Sequence, residues 1–287
     1  MSDKNTFFHQ KSTLNVRGTL LDLSRPKVMG IVNITPDSFY DGGETYSVAG
    51  AVAQAGRMLE EGAAIIDIGA YSSRPNAEHI STENEIDRLI PALRAIVKEY
   101  PEAIISIDTF RASVARAAID EGAHIINDIS GGEMDPEMFR TMAELKVPYI
   151  LMHMKGTPQT MVQEANYTNL FEEVFQYFLD KIGILRESGV IDLILDPGFG
   201  FAKTADQSFE LLNRMDQFKL LELPLLAGLS RKSMICRTID VTPDHALNGT
   251  TAANTIALIK GAKILRVHDV KAAAEAIKIV ERTTATG

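Results

Sequence analysis

The chain has 287 residues, of which 45% are hydrophobic and 23% charged, a composition typical of a soluble globular protein. Its formal net charge of −9 disfavours nucleic acid and anionic membranes as partners, so an anionic substrate would need a local basic pocket. The single cysteine excludes an intrachain disulfide. No apolar run is near the roughly 20 residues that cross a bilayer, and the N-terminus lacks the apolar core of a signal peptide. We therefore expect a cytoplasmic protein.

The first predicted element is a β-hairpin near the N-terminus. The segment TLNVRGTLLDLSRP, which begins at Thr13, contains two short strand-like runs on either side of Arg17-Gly18. A two-residue connection that ends in glycine is typical of a tight hairpin turn. We expect this hairpin to cap the bottom of the structure that follows.

Eight short apolar runs then recur along the chain, each rich in Ile, Val and Leu. Continuous apolar runs of this length favour strands that are buried on both faces, as in a parallel sheet. They are KVMGIVNI from Lys27, AAIIDIG from Ala63, AIISID from Ala103, HIINDIS from His124, PYILMHM from Pro148, IDLILDPG from Ile191, PLLAGLS from Pro224 and AKILRVH from Ala262.

Helical patterns alternate with these runs. They cover residues 48–61, 83–100 despite a proline at position 91, 111–121, 136–145, 169–188, 207–217, 246–260 and 270–280. Eight strand–helix units predict an α/β fold, a (β/α)₈ TIM barrel with the N-terminal hairpin at its bottom. We expect one domain over residues 1–287, with a core at about 14–280. An open, doubly wound sheet is the alternative, because periodicity does not prove closure.

Polar side chains cluster at the C-terminal ends of the apolar runs. A single aspartate there is usually a satisfied structural group, but polar ends on nearly all strands indicate a functional site, because these ends converge at one mouth of a barrel. The residues are Asp67, Asp108, Asn127, Asp128, His153, Asp196, Ser230, Arg231, Lys232, Arg266 and His268.

The types of these side chains indicate what they bind. Carboxylates (Asp108, Asp196) and an amide (Asn127) suit the edge of a flat heterocycle, and a 2-amino-4-oxo ring like that of guanine also offers a carbonyl to Lys232. Arg266 could stack on the ring or hold a phosphate. A metal site is the competing interpretation of the carboxylates, although no compact ligand motif such as HExxH is present.

Seven motifs with the same order and spacing resemble dihydropteroate synthase over roughly residues 14–280. The resemblance implies a barrel that joins p-aminobenzoate to 6-hydroxymethyl-7,8-dihydropterin pyrophosphate, giving 7,8-dihydropteroate and pyrophosphate for folate biosynthesis. It also implies that Mg²⁺ is required, that both substrates are small molecules and that the enzyme is a homodimer. The motifs are NITPDSFYDGG, SIDTFR, INDISGG, LMHMKGTPQTM, LDPGFGFAKT, LSRKSM and RVHDV.

The resemblance also implies a role for each matching residue. The catalytic residues are Asp41, Asp108, Lys232 and Arg266. The pterin contacts are Asp108, Asn127, Ile129, Met152, Asp196, Phe201, Gly228, Lys232 and Arg266. The p-aminobenzoate pocket is formed by Phe39, Ser73, Pro75, Lys232 and Ser233, and pyrophosphate is bound by Asn33, Arg74, Arg266 and His268, with Asn33 also a ligand of Mg²⁺.

The sequence departs from the common family pattern at Tyr71 and Asn76, which makes the strength of p-aminobenzoate binding and of sulfonamide inhibition unpredictable. Two alternative functions are a pterin-binding methyltransferase that acts with a corrinoid protein and a non-catalytic pterin-binding paralogue. The first would not need NITPDSF, SRKS and RVH, and the second would not need Asn33, Arg74, Lys232 and His268.

Overall fold

The computed structural model describes residues 11–34, 47–72 and 79–285. The predicted hairpin is present: strands Thr13–Val16 (β1) and Thr19–Asp22 (β2) pair in antiparallel register. Arg17 and Gly18 form its turn with φ angles of 51° and 91°, a left-handed pair that matches the twist of the two strands and that glycine adopts without strain.

Eight parallel strands form a closed barrel, which confirms the TIM-barrel prediction and shows that the open-sheet alternative is wrong. Closure is direct, because the last strand, Ala262–Val267, pairs with both Leu225–Ala227 and Lys27–Asn33. The strands are Lys27–Asn33 (β3), Ile65–Gly69 (β4), Ile104–Asp108 (β5), Ile125–Asp128 (β6), Tyr149–Met152 (β7), Leu193–Asp196 (β8), Leu225–Ala227 (β9) and Ala262–Val267 (β10).

The helices of the described residues alternate with these strands. They are Val48–Glu60 (α1), Thr82–Glu99 (α2), Ala112–Asp120 (α3), Met138–Leu145 (α4), Leu170–Glu187 (α5), Ala205–Asn213 (α6), Ser233–Thr238 (α7), Leu247–Ile259 (α8) and Val270–Thr284 (α9), with 3₁₀ helices at Met215–Leu221 and Pro243–His245. Pro91 does not interrupt α2, because it lies on the exposed face, where water can reach the carbonyl of Asp87. None of these helices is long and apolar enough to cross a membrane.

One predicted helix was wrong in detail, and one short helix was not predicted. The segment 207–217 is not one helix: α6 ends at Asn213, and a 3₁₀ helix follows from Met215, with Arg214 between them at φ −99° and ψ 8°. The six-residue helix α7 was not predicted, because it is too short to show a helical period and directly follows the polar SRK segment.

The barrel interior changes from apolar to polar within two residues. Its lower layer packs against the hairpin residues Leu14 and Leu23 and consists of Met29, Ile65, Ile125, Ile150, Ile194, Leu226 and Ile264. Side chains alternate between the two faces of a strand, so the residue two positions further on faces the interior one layer higher. That upper layer comprises Ile31, Asp67, Asn127, Met152, Asp196, Gly228 and Arg266. The fold therefore places polar groups directly above an apolar floor.

Candidate active site

An arginine from the last strand joins two aspartates at the barrel mouth. Arg266 donates from Nε to Asp67 Oδ2 and from Nη2 to Asp108 Oδ2, both at 2.6 Å. Asp67 is fully buried in β4, Asp108 is the last residue of β5, and Arg266 comes from β10. Because buried charges are stable only when they are paired, the three side chains form one electrostatic unit.

Asp67 is the residue of this unit that the sequence-based assignment of roles misses. Its Oδ2 also accepts a 3.1 Å hydrogen bond from Asn127 Nδ2, which orients that amide toward the barrel interior. Asp67 Oδ1 has no hydrogen-bond partner within the described ranges, although the residue is completely buried. The sequence did contain a signal, because Asp67 is the polar residue near the C-terminal end of the apolar run AAIIDIG and lies in the same layer as Asn127.

The environment of Asp108 shifts its proton affinity into the neutral range. Burial raises the pKa of Asp108 to about 7, against the lowering effect of Arg266 and with a further rise from the negative charge of Asp67. Burial alone would lower the pKa of Arg266, but Asp67 and Asp108 raise it above its ordinary value. Arg266 is therefore a permanent cation, whereas Asp108 can change charge near neutral pH.

A second charged group lies on the opposite side of the mouth. Asp196, the last residue of β8, is buried, and its Oδ1 accepts a 2.8 Å hydrogen bond from the backbone N–H of Gly198. Burial raises the pKa of Asp196, whereas Lys232 lowers it. Burial also lowers the pKa of Lys232, to about 8, against the effect of Asp196. A side chain at Gly228 would contact both groups, so glycine leaves the space between them open.

An apolar cluster forms one wall of the mouth. Ile129 and Met152 are buried within it, and Phe201 packs against its edge. Lys232 Nζ lies 4.6 Å from the centroid of the Phe201 ring and donates to the carbonyl of Phe199, so the lysine is held above an aromatic face. Flat apolar surfaces beside hydrogen-bonding groups suit an aromatic heterocycle.

The remaining predicted residues lie at the rim. Asn33 is the last residue of β3, on the strand adjacent to the one that leads to His268. Ser230 Oγ lies 3.0 Å from His268 Nδ1 and also accepts from the backbone N–H of His268 at 3.2 Å, which fixes the imidazole ring. Ser233 is exposed at the first position of α7, next to Lys232.

Some predicted residues do not belong to this group or are not described. Asp128 follows Asn127 but stabilises the turn after β6 instead, because its carboxylate accepts hydrogen bonds from Ser130, Gly132 and Tyr149. Arg231 forms an ion pair with Asp269 at 2.7 Å. The predicted positions that lie outside the described residues are Phe39, Asp41, Ser73, Arg74 and Pro75.

Within the described ranges, no group of three or more His, Cys, Asp or Glu side chains is arranged to hold a metal ion. Asp67 and Asp108 are instead paired with Arg266, and the positive charge of Lys232 lowers the pKa of Asp196.

Comparison with known proteins agrees with the geometry. Residues 29–268 match the family described as pterin binding enzyme. The chain is 46% identical over 272 residues to the dihydropteroate synthase of Escherichia coli strain K12, covering 94% of this chain and 96% of the relative. It is 42% identical over 256 residues to the Bacillus subtilis strain 168 dihydropteroate synthase, covering 88% and 87% of the two chains.

Solved structures give the same result. The Yersinia pestis dihydropteroate synthase with a sulfonamide drug superposes with a TM-score of 0.91 at 41% identity, covering 95% of this chain and 99% of that one. The Xanthomonas albilineans dihydropteroate synthase in complex with 7,8-dihydropteroate superposes with a TM-score of 0.85 at 37% identity, covering 95% and 99%. The chain therefore belongs to the dihydropteroate synthase family, transferases of folate synthesis that are built on a pterin-binding barrel.

Proposed function

We propose that this chain condenses 6-hydroxymethyl-7,8-dihydropterin pyrophosphate with p-aminobenzoate and releases pyrophosphate. The observation that supports this most directly is the convergence of the Asp67–Arg266–Asp108 unit with Asp196 and Lys232 at one barrel mouth. Such a mouth offers acceptors, donors and an apolar wall to a flat ring, together with cations for a leaving anion.

The pterin ring is bound by its polar edge. Its 2-amino group and ring N–H are donors that suit the carboxylate of Asp196 and the amide oxygen of Asn127, and its 4-oxo group is an acceptor for Lys232. Ile129, Met152 and Phe201 cover its apolar faces, with Gly228 leaving room for the ring. Because this polar edge is buried, a ligand that lacks the matching donors and acceptors would leave buried protein groups without hydrogen bonds and would bind more weakly, which makes the site selective.

The pyrophosphate end lies toward Arg266, His268 and Asn33, with Arg74 as a further cation outside the described residues. A single amide oxygen at Asn33 fits Mg²⁺, because this ion usually takes one or two protein ligands and completes its shell with phosphate oxygens and water. When bound, Mg²⁺ would neutralise charge on the diphosphate. Arg266 and His268 stabilise the same departing anion.

Bond breaking precedes bond formation in this proposal. The bond between the pterin methylene and the bridging oxygen breaks, its electron pair leaves with pyrophosphate, and the methylene becomes a cation delocalised into the ring. Asp108 stabilises this cation electrostatically, and Arg266 occupies only one of its two oxygens. The amine of p-aminobenzoate then attacks and loses a proton to solvent, so that no strong base is needed.

The second substrate binds at the outer side of the mouth. Ser233 and Lys232 lie next to each other at the start of α7, where a hydroxyl, a backbone N–H and an ammonium group can bind the carboxylate of p-aminobenzoate. Phe39, Ser73 and Pro75 complete this pocket in the proposal, and Asp41 assists catalysis from the segment that contains Phe39. Sulfonamides, which resemble p-aminobenzoate, bind in the same place.

The working form in this proposal is a homodimer in the cytoplasm. Ile256 and Ile259 in α8 are 45% and 64% exposed, and a second copy of the chain would cover such an apolar face. Light scattering should report a dimer for the native chain and a monomer for Ile259→Glu. Ile191→Glu, at a 73% exposed isoleucine ahead of β8, should remain a dimer; dimers in both variants would contradict this surface.

The reaction is tested by measuring pyrophosphate release from pterin pyrophosphate with and without p-aminobenzoate, in the presence of Mg²⁺. We expect sustained release only with p-aminobenzoate, together with 7,8-dihydropteroate identified by mass spectrometry. Methyltetrahydrofolate with a corrinoid protein serves as the comparison substrate. Turnover of that pair, or pterin binding without either reaction, would replace the proposal with one of the two alternatives.

A further inference from the structure

Lys203 is a buried lysine near the barrel mouth that the proposed reaction does not use. Its ammonium nitrogen lies 2.8 Å from His153 Nδ1 and donates to three backbone carbonyls: His153 at 3.2 Å, Gly198 at 3.1 Å and Phe201 at 3.0 Å. His153 follows β7, whereas Gly198 and Phe201 follow β8. One side chain thus bonds the two segments that leave neighbouring strands.

These two segments carry much of the proposed pterin pocket. Met152 directly precedes His153, and Asp196 accepts the backbone N–H of Gly198. Phe201, whose carbonyl also binds Lys203, lies beneath the ammonium group of Lys232. Each carbonyl bound by Lys203 therefore lies close to a proposed ring contact in the chain. His153 follows Met152, Gly198 is two residues after Asp196, and Phe201 is itself a contact.

The two segments are also in close backbone contact. Gly198 has a φ of +69°, and a Cβ atom there would clash with the carbonyl oxygen of His153. Glycine both adopts this conformation and permits the approach. The approach brings carbonyl dipoles together in a buried place, where they need a common donor to be stable.

Charge supports the same arrangement. Burial lowers the pKa of Lys203, whereas Asp196 raises it; Lys232 and Lys155 act to lower it. The ammonium form supplies three hydrogens to the four acceptors around it, the three carbonyls and His153 Nδ1, so one hydrogen is shared between two acceptors. Burial, together with the charge of Lys203, holds the pKa of His153 well below its usual range, so its imidazole is neutral and can accept at Nδ1.

We propose that Lys203 is a positioning residue for pterin binding: by bonding the carbonyls of His153, Gly198 and Phe201, it fixes the spacing between the Met152 side and the Asp196–Phe201 side of the pocket. It touches no reacting atom. The inference rests on the pterin pocket of the proposed function, and it adds a residue that sets the affinity for the first substrate while leaving the site of the second unchanged.

The test replaces Lys203 with Met, whose unbranched side chain is one atom shorter and has no donors. We expect the Kd of 6-hydroxymethylpterin, measured by calorimetry, to rise about tenfold to a hundredfold. The KM of p-aminobenzoate at saturating pterin pyrophosphate should stay within about twofold. The matched control is Lys155→Met, because Lys155 lies in the segment after β7 but binds Glu173 and Tyr167 rather than the pocket.

The pH dependence of pterin binding gives a readout that a general packing defect would not produce. Asp196 is faced by three cations that lower its pKa, namely Lys232, Arg266 and Lys203. Removing the last of these should move the acid limb of pterin affinity to higher pH in Lys203→Met, with no movement in Lys155→Met. In Lys203→Gln, whose amide retains two N–H donors but no charge, the Kd of the pterin should fall between the values of Lys203→Met and the native chain, whereas the acid limb should move as in Lys203→Met.

Three outcomes would overturn the proposal. They are pterin affinity within twofold of the native value in Lys203→Met, an equal loss for both substrates, and failure of both Lys203 variants to fold, which would assign the lysine to folding instead. The native chain is assayed in parallel for pyrophosphate release. Failure of that assay contradicts the proposed function, whereas the variant data alone decide the role of Lys203.

Discussion

Arg266 Nη2 donates to Asp108 Oδ2 at 2.6 Å, so a permanent cation is held against a carboxylate whose pKa burial raises to about 7. The ionised form of Asp108 is the one that stabilises a cationic pterin, so kcat/KM for pterin pyrophosphate should increase as pH rises through about 7. It should decrease above about 8, where Lys232 loses its charge. A pH–rate profile of kcat/KM measures both limbs.

Two variants separate Asp108 from other groups that titrate. Asp67→Asn removes a like charge, so the acid limb should move to lower pH, whereas Arg266→Gln removes the opposite charge and should move that limb to higher pH. The direction of the shift is the readout, since both variants also reduce the rate. Movement of the limb in the same direction in both variants would contradict the assignment to Asp108.

Replacement of Asp196 by Asn should weaken pterin binding. The change turns one acceptor into a donor that faces the donor edge of the pterin, which leaves buried groups unpaired at a cost of about 2–4 kcal/mol. Calorimetry with 6-hydroxymethylpterin measures the loss. Asp192→Asn is the control, because Asp192 pairs with Lys11 just before β8 begins, away from the mouth. Unchanged binding in Asp196→Asn would remove this residue from the pterin site.

Sulfonamides should compete with p-aminobenzoate. If Ser233 binds the carboxylate of the substrate and the matching group of the drug, Ser233→Ala should raise the KM and the inhibition constant together by about fivefold, which corresponds to one lost hydrogen bond of about 1 kcal/mol. Steady-state inhibition kinetics provide both numbers. Ser113→Ala is the control at an exposed serine in the first turn of α3. Inhibition that does not depend on p-aminobenzoate concentration would place the drug elsewhere.

The order of bond changes can be measured with isotopes. With ¹⁸O in the bridging position of pterin pyrophosphate, reversible cleavage should move the label into non-bridging oxygens of the adjacent phosphate before p-aminobenzoate is added. Asp108→Asn should slow this exchange, because it removes the charge that stabilises the cation. Absence of exchange, even with an unreactive p-aminobenzoate analogue bound, would favour direct displacement.

One stability prediction concerns the end of α4. Lys146 follows this helix in the left-handed region, at φ 53° and ψ 39°, and its side chain is exposed. Glycine adopts this conformation without a steric penalty, so Lys146→Gly should stabilise the fold by about 0.5–1 kcal/mol. Urea denaturation measures the change. Lys146→Ala keeps the Cβ atom and should bring no such gain, so equal effects of the two changes would contradict the argument.

The barrel was predictable because its strands are apolar on both faces. Each of the eight runs contains one strand, but strands are shorter than runs: PLLAGLS contains only Leu225–Ala227. Apolarity reports burial, whereas strand length depends on hydrogen-bonded neighbours, and β8 pairs with β9 at only one position, Leu195 with Leu225. An apolar pattern likewise does not reveal where an α-helix gives way to a 3₁₀ helix, so α6 and the following 3₁₀ helix were predicted as a single helix.

The polar site was predictable only in part. The end of each strand is visible in the sequence, but the direction of a side chain is not, so Asp128 and Asn127 look equivalent although only Asn127 contacts Asp67. Lys203 lies in the motif LDPGFGFAKT but received no role, because three of its four partners are backbone carbonyls, which every sequence has. The contacts of Asp67 with Arg266 span 199 positions along the chain, and no local pattern encodes them.

That separation has a consequence for the order in which the protein becomes functional during synthesis. Asp67 and Asp108 leave the ribosome long before Arg266, which lies in the strand that closes the barrel between β9 and β3. Until β10 has been synthesised, the carboxylates of Asp67 and Asp108 lack the cation that pairs with them in the folded protein. The sheet formed by the earlier strands also has two open edges, at β3 and β9. A nascent chain that stops short of β10 thus has most of the pterin contacts in its sequence but no stable pocket, so pterin binding reports that translation has passed the final strand.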